Sequence, residues 1–235
     1  MNRKEKIQLE QLNQVINVYK PAGITSYDVV RQVRRLLGRQ NRVGHAGTLD
    51  PFGEGVLLIM LGKATKQMTE ILQLPKIYEA HLRLGAGTAS GDHTLPVIRT
   101  APVPIITDAM LEEVRQRFTG TIEQIPPAFS AKKINGRPAY HFARKGKSVT
   151  LKPVSVHIYD LKIQPIRNDL LRLEIRCSSG TYIRKLGEDI ARAIGTEGHL
   201  TYLKRISIGQ YRCEQALPFD QLAQELINII KQGMN

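Results

Sequence analysis

A chain of 235 residues, of which 42% are hydrophobic, can form one large domain with a substantial core. Its 34 lysines and arginines outnumber its 21 acids, and the net charge of +13 indicates a polyanionic partner, most simply a nucleic acid. Two cysteines are too few for a disulfide framework, no Cys/His cluster has zinc spacing, and no apolar run reaches the ~20 residues of a membrane span. Because the N-terminus also lacks an apolar signal core, we expect a cytoplasmic protein.

The order of the predicted elements indicates an α+β fold. Residues 1–14 are polar and predict a loosely attached extension, and residues 15–235 predict a single domain. Strands are predicted over residues 15–19, 56–61, 77–84, 154–163, 170–177 and 199–208. Helices are predicted from Thr25 or Ser26 to Leu37, over 107–118, from the turn at 178–181 to 194, and over about 219–231. Because several consecutive strands are joined too tightly for parallel crossovers, we expect a mixed, mostly antiparallel central sheet flanked by helices.

A glycine-rich stretch, residues 44–55, is the most informative part of the chain. Its four glycines let the backbone turn sharply, and Asp50 lies in its middle with Pro51 directly after it. The apolar run at 56–61 that follows predicts a buried strand. Asp50 is therefore either a reactive acid presented on a structured loop or an aspartate that caps a turn.

Two basic regions are candidates for contact with a polyanion. The first predicted helix carries Arg31, Arg34 and Arg35 opposite its apolar face, and Arg39 and Arg42 follow. Such a stripe is either a solvated helix face or a set of phosphate contacts. The second region, residues 125–150, is basic and irregular.

Several familiar chemistries do not fit the sequence. The Gly-Lys pair at the end of residues 55–63 has the wrong spacing for a phosphate loop, and no GxGxxG or GxSxG motif is present. The six histidines are scattered without metal-site pairing, so we expect no metal and no cofactor. A carboxylate on a structured loop of a basic protein fits cofactor-free chemistry on a nucleic acid base, with aromatic rings holding the unstacked base.

Seven segments of the chain resemble the motifs of the bacterial tRNA pseudouridine-55 synthases, the B family of pseudouridine synthases. The signature of the family is similar to residues 44–51, which read Gly-His-Ala-Gly-Thr-Leu-Asp-Pro. The other similar segments, in the family's order, are residues 20–26, 76–80, 124–131, 140–146, 177–184 and 202–205. The resemblance as a whole covers about residues 15–212.

The resemblance implies an isomerase that acts on a uridine in the T-loop of tRNA. It would break the glycosidic bond, rotate the uracil and rejoin it through carbon. Asp50 matches the catalytic aspartate, which attacks either the base or the ribose. Tyr78 matches a tyrosine that stacks on the flipped uracil and takes part in proton removal, and Arg184 matches an arginine that pairs with the aspartate.

Five further residues match substrate-binding positions of the family. His45 matches a histidine that fills the stack left by the departing base, and Tyr182 and Leu203 match the walls that hold the base. Lys20 matches a lysine close to the active site, and Asp92 lies where the family has an acid that touches the T-loop. Leu203 could equally be a core leucine, and Lys20 could equally contact a phosphate.

The chain departs from the family pattern at three places. The Thr-Asp-Thr run before Asp92 is absent and Leu95 replaces a glycine, which puts the loop contacts there in doubt. Phe129 stands where a tyrosine is common. No small C-terminal RNA-binding domain fits after the last motif, so we expect a short form: a stand-alone, monomeric catalytic domain whose partner is the T-arm of tRNA. The alternatives are the same chemistry on another RNA, guided or not by a partner, and an RNA chaperone that binds and refolds tRNA.

Overall fold

The computed structural model describes residues 13–38, 40–130, 132–134, 136–143 and 151–232. The helices are α1 (Ser26–Leu37), α2 (Met68–Gln73), α3 (Asp108–Phe118), α4 (Ala139–Ala143), α5 (Ile183–Ile194) and α6 (Leu222–Gln232). The strands are β1 (Val15–Lys20), β2 (Val43–Ala46), β3 (Glu54–Leu61), β4 (Lys76–Leu84), β5 (Ala86–Thr88), β6 (Val97–Thr100), β7 (Gly120–Gln124), β8 (Lys133–Ile134), β9 (Arg137–Pro138), β10 (Val154–Arg167), β11 (Leu170–Cys177), β12 (Gly198–Ile208), β13 (Tyr211–Arg212) and β14 (Leu217–Pro218).

These elements fall into two compact units. Unit 1 holds the described residues up to Lys76 together with those from Lys204 onward, and unit 2 runs from Ile77 to Leu203. The predicted single domain over 15–235 stays a prediction. Of the predicted N-terminal extension, residues 1–12 lie outside the described residues.

The sheet of unit 1 combines antiparallel and parallel pairs. β3 pairs antiparallel with β1 and β2, and β1 pairs parallel with β14. The C-terminal part of β12 runs parallel to β3, with Lys204 opposite Glu54 and Arg205 opposite Gly55. The sheet therefore joins segments from both ends of the chain.

Helix α1 begins with a capping box. Thr25 accepts a hydrogen bond from the amide of Asp28, and the Asp28 carboxylate accepts one from the amide of Thr25. The apolar face that the spacing predicts is buried, except that Leu36 is 40% exposed. The helix ends at Gly38, whose φ of +85° is a conformation that glycine adopts easily. The predicted helix is thus confirmed at both ends.

Strand β3 is buried on both faces, as its unbroken apolar run predicts. Leu57, Ile59 and Leu61 pack with α1 and with the buried leucines of α6. Val56, Leu58 and Met60 face a second cluster that includes Ile71 of α2. Because both faces of the strand are covered by apolar side chains, none of its inner positions needs to be polar.

The strands of unit 2 are mostly antiparallel. Its strands follow the order β12, β4, β11, β10, β7, and β10 pairs antiparallel with both of its neighbours. Alternate residues of β4, Tyr78 to Leu84, are buried as predicted. Helix α3 packs on α5 and on β10. A mixed, mostly antiparallel sheet with helices is the α+β fold that the sequence indicates.

The structure differs from the predicted elements at the glycine-rich stretch. Residues 43–46 are not loop but strand β2, which pairs with β3, so the loop itself covers 47–53. The hairpin of β5 and β6 and the strand β7 were not predicted either. Within the described ranges of the chain, no helix has the length and apolar character needed to span a bilayer.

Candidate active site

Asp50 lies on the loop that joins β2 to β3. Leu49 and Phe52 on either side of it are buried, whereas the side chain of Asp50 is half-buried. The amide of Gly53 donates to the carbonyl of Asp50 at 3.1 Å, which closes a turn after the acid. The loop at 47–53 is therefore anchored by apolar neighbours while its acid keeps access to solvent.

Five consecutive carbonyls of this loop accept hydrogen bonds. Arg205 donates to the carbonyls of Gly47 (2.9 Å) and Thr48 (3.4 Å), and Ser26 Oγ donates to that of Leu49 (3.0 Å). The Asp50 carbonyl accepts from the amide of Gly53. The Pro51 carbonyl accepts from the amide of Gly23 (2.8 Å) and from Lys20 Nζ (3.4 Å). A backbone whose carbonyls are bonded at five consecutive residues has few alternative conformations. The position of Asp50 is set before a substrate arrives, which is what catalysis by a precisely placed group requires.

Lys20 is fully buried beneath this loop. Its Nζ donates to the carbonyls of Pro21 and Ile24 at 2.8 Å each, in addition to Pro51. Burial, with a smaller contribution from the charge of Arg205, lowers the pKa of Lys20 to about 8. An ammonium enclosed by carbonyls is not placed to reach an RNA phosphate, and the role of Lys20 beside the active site stays a prediction.

His45 lies on β2, opposite Ile59 on β3, and is not part of the loop. Burial, followed by the positive charge of Arg205, lowers the pKa of His45, so its ring is neutral at pH 7. In the described part of the protein its buried Nδ1 makes no hydrogen bond. The imidazole is thus an uncharged ring.

Tyr78 of unit 2 is buried on β4. It shares its face of the strand with Ala80 and Leu82, and 8% of its surface is exposed. A tyrosine at this position can pack in the core through one side of its ring and keep its polar end for another partner. Both roles that the sequence allows for Tyr78 are compatible with this placement.

Arg184, near the start of α5, binds the backbone of two distant segments. Its Nη1 donates to the carbonyl of Ser90 at 2.7 Å, and its Nη2 donates to the carbonyl of Phe129 at 2.8 Å. Nη1 also lies 3.7 Å from Oδ2 of Asp92. Because Arg184 is buried, these charge-assisted bonds fix its guanidinium in one orientation.

Asp92 is buried beside Arg184. Its Oδ1 accepts hydrogen bonds from Ser90 Oγ at 2.8 Å, from the amide of Thr94 at 2.9 Å, and from Thr94 Oγ1. Only 4% of its surface is exposed. The predicted contact with a T-loop does not fit a carboxylate that is enclosed in this way.

Tyr182 precedes α5 and is bound through its backbone. Its amide donates to Oε1 of the buried Gln124 at 3.0 Å, and its carbonyl accepts from Nε2 of the same side chain at 3.4 Å. The Tyr182 side chain is half-buried. Leu203 on β12 is 2% exposed, a burial that is typical of a core leucine.

Most of the sequence matches one protein family. Residues 34–183 match the family described as TruB family pseudouridylate synthase (N terminal domain). A tRNA pseudouridine synthase B from Hydrogenovibrio crunogenus is 43% identical over 218 residues, which are 93% of this chain and 70% of that protein. A protein of the same name from Francisella philomiragia is 42% identical over 212 residues, 90% of this chain and 70% of its own length.

The chain belongs to the TruB family. Among solved structures, a chain in the crystal structure of a Cbf5-Nop10-Gar1 complex matches with a TM-score of 0.70 and 26% sequence identity. The match covers 99% of this chain and 60% of that one, so the chain spans about three fifths of the length of this structural relative.

The eight residues that the TruB resemblance singles out are divided between the two units. Unit 1 holds Lys20, His45 and Asp50, and unit 2 holds Tyr78, Asp92, Tyr182, Arg184 and Leu203. Within unit 1, Lys20 and Asp50 are joined through Pro51. Within unit 2, Arg184 and Asp92 form an ion pair. The expected pair of Arg184 and Asp50 joins residues of different units and stays a prediction.

The arginine stripe predicted on α1 is not a uniform phosphate-binding face. Arg34 donates to the carbonyl of Val43 at 3.0 Å, and Arg31 pairs with Asp28 at 2.7 Å. Arg35 is exposed. Arg39 lies outside the described residues, as do residues 144–150 of the second basic region. Arg34 is thus a structural residue, and Arg42, like Arg35, is exposed.

Sequence reasoning missed three buried side chains that hold the backbone around the candidate residues: Ser26, Gln124 and Arg205. All three lie inside the TruB-like motifs, which was the available signal. Their residue types gave no signal of burial, because serine, glutamine and arginine are mostly exposed in proteins.

Proposed function

We propose that this TruB-family protein is a tRNA pseudouridine synthase that isomerises a uridine in the T-loop. The observation that carries the proposal is the Asp50 loop, in which a half-buried acid is held on a backbone with five bonded carbonyls. The relatives named tRNA pseudouridine synthase B support the choice of tRNA.

The reaction is an isomerisation and needs no external reagent. The bond between N1 of uracil and C1′ of the ribose breaks, a bond between C5 and C1′ forms, C5 loses its proton, and N1 gains one. Asp50 supplies the nucleophile, at the base or at the ribose. The wild-type protein should therefore convert the uridine without added metal or cofactor.

Arg184 and Asp92 act as a buried pair in this proposal. Arg184 contributes the positive charge that keeps a catalytic carboxylate ionised and oriented. Asp92 and the carbonyls of Ser90 and Phe129 hold the guanidinium in place. Asp92 is thus assigned a positioning role, in place of the direct T-loop contact that the sequence predicts.

The remaining residues bind the flipped base or fill the position that it leaves in the RNA. Tyr78 stacks on the flipped uracil and takes part in the removal of the C5 proton, with Tyr182 and Leu203 as walls. His45 fills the gap in the RNA stack, and its neutral ring suits this role because no charge has to be buried among the bases. Insertion of a ring recovers part of the stacking energy that is lost when the base leaves.

The proposal also includes the setting of the enzyme. We place it in the cytoplasm as a monomer that works as one catalytic domain over residues 15–235. The two cysteines, Cys177 and Cys213, are both free, which suits a reducing compartment.

Incubation with an unmodified tRNA transcript, followed by mapping of pseudouridine, tests the proposal. Product at the T-loop uridine is expected from the wild type. Asp50→Asn should show no turnover while its Kd for tRNA stays within about tenfold, because binding rests on phosphate contacts. Asp220→Asn is the matched control: it removes one negative charge from an exposed position of the same unit and should react normally.

The same experiment separates the alternatives. Tight binding and refolding of tRNA without any pseudouridine would support an RNA chaperone and contradict the proposal. Product in another RNA but not in tRNA would retain the chemistry and change the substrate. Full turnover by Asp50→Asn would remove Asp50 from its role.

A further inference from the structure

Arg205 is a buried arginine to which the proposed reaction assigns no role. It lies on β12 with 1% of its surface exposed. An arginine this deep in a protein that binds polyanions cannot serve as a phosphate contact. Its function has to be sought in the groups that its guanidinium touches.

The guanidinium of Arg205 spans the two ends of the Asp50 loop. Nη2 donates to the carbonyl of Gly47 at 2.9 Å, and Nη1 lies 3.4 Å from the carbonyl of Thr48, both of which precede Asp50. Nε donates to the carbonyl of Val56 at 2.7 Å, after the loop has returned to β3. One rigid planar group therefore sets the separation between the entry and the exit of the loop.

A close approach of two strands brings Arg205 to this position. Gly55 lies opposite Arg205 in the parallel pair, with a φ of +104°. A Cβ on Gly55 would lie 2.3 Å from the carbonyl oxygen of Arg205, which is shorter than any non-bonded contact between a carbon and an oxygen. Glycine at 55 thus lets β12 lie directly against the start of β3, with the guanidinium beneath the loop.

The charge of Arg205 also acts on the neighbouring titratable groups. It contributes to the lowered pKa values of His45 and Lys20, in each case after burial itself. An uncharged side chain of similar volume would therefore change the loop in two ways, because the hydrogen bonds to Gly47, Thr48 and Val56 would be lost and so would a positive charge.

We propose that Arg205 is the positioning residue that braces the Asp50 loop by joining its entry to its exit, an inference that rests on the catalytic role proposed for Asp50. Arg205 acts through its hydrogen bonds to the backbone carbonyls of Gly47, Thr48 and Val56. Its loss should reduce turnover at saturating tRNA and leave the affinity for tRNA largely unchanged.

The variants Arg205→Met and Arg205→Lys test this role. Methionine keeps apolar volume without donors, whereas lysine keeps the charge and reaches some of the carbonyls. The control is Arg212→Met, the same change at an exposed arginine of unit 1. Circular dichroism and thermal melting show at which temperature each variant is folded.

The first measurement is amide hydrogen exchange and does not depend on activity. The amides of Leu49 and Gly53 are bonded within the loop region, to Ser26 Oγ and to the Asp50 carbonyl. In Arg205→Met they should exchange at least tenfold faster, with the amides of β1 unchanged. Unchanged exchange at Leu49 and Gly53 would overturn the proposal, and so would equal acceleration throughout unit 1.

The second measurement separates positioning from general stability. At a temperature where all variants are folded, Arg205→Met should lower the single-turnover rate at saturating tRNA by a hundredfold or more, with Kd within threefold. Arg205→Lys should recover at least tenfold of that loss. If the wild type is active and Arg205→Met reacts at the same single-turnover rate, the inference is overturned. A wild type without turnover would overturn the proposed function, and the exchange data would still decide whether Arg205 orders the loop.

Discussion

The hydroxyl of Ser26 makes two hydrogen bonds with one residue, Leu49. It donates to the Leu49 carbonyl at 3.0 Å and accepts from the Leu49 amide at 2.9 Å. Both partners are buried, so neither backbone group of Leu49 has water as an alternative. The first turn of α1 and the residue next to Asp50 are thereby held as one piece.

Ser26→Ala should lower the free energy of unfolding by about 1–3 kcal/mol, because it leaves a buried amide and a buried carbonyl without partners. Urea denaturation measures the change. Ser155→Ala, at an exposed position of β10, is the control and should stay within about 0.5 kcal/mol of the wild type. An equal effect of the two substitutions would contradict the role of Ser26.

Gly55→Ala should be far more destabilising than Gly120→Ala. Both glycines have positive φ, +104° and +94°, but an added Cβ meets a backbone carbonyl at position 55 and no atom within 4 Å at position 120. We expect a loss of about 1–2 kcal/mol at Gly120 from conformation alone, and at least about 2 kcal/mol more at Gly55. Denaturation of the two variants side by side isolates the steric contribution. Similar losses would show that β12 and β3 can separate at little cost.

Lys20 should make stability depend on pH in the alkaline range. Its folded-state pKa of about 8 lies below the ordinary value of 10.5, so between these pH values the unfolded chain binds more protons. Stability therefore rises with pH across this window, and the penalty for burying the charge is fully present at pH 7. Relative to Lys20→Met, the wild type should gain about 2–3 kcal/mol between pH 7 and pH 10.5. Parallel pH profiles of the two proteins would contradict the lowered pKa.

Arg34 and Arg35 should respond differently to substitution by methionine. Arg35→Met should weaken tRNA binding and reduce the slope of log Kd against log salt by about one, because an exposed arginine that contacts a phosphate releases a counterion. Arg34→Met should leave that slope unchanged and lower stability by about 1 kcal/mol, through loss of the bond to Val43. Binding titrations at several salt concentrations measure the first effect, and denaturation measures the second. A reduced salt slope for Arg34→Met together with an unchanged slope for Arg35→Met would show that Arg34, and not Arg35, contacts RNA.

Elements with a strong local pattern could be predicted from the sequence. The alternation of β4 and the apolar spacing and capping residues of α1 each have one structural solution, and both elements formed as expected. The buried run of β3 is of the same kind. Such patterns report burial directly, since side chains on a covered face have to be apolar.

Features that depend on partners far along the chain could not be predicted. Val43 to Ala46 looks like loop because of its glycine, and it becomes strand β2 through its pairing with β3. The resemblance predicts a contact of Asp92 with the T-loop, but the structure encloses Asp92 with Arg184. The residues next to Arg205 in the sequence do not indicate its hydrogen bond to Gly47 either, because the two residues are far apart in the chain. In each case tertiary contact overrides the residue type.

The brace on the Asp50 loop has a consequence for synthesis of the protein. Arg205 and Gly47 are separated by 158 residues in the chain, so a chain emerging from the ribosome makes the acid long before the strand that fixes it. Contacts of such long sequence separation form late, because the intervening chain must first be ordered. Nascent chains and fragments that end before β12 therefore contain Asp50 on a loop that lacks the hydrogen bonds from Arg205. We therefore expect full activity only after the C-terminal part of the chain has folded back onto the start of β3.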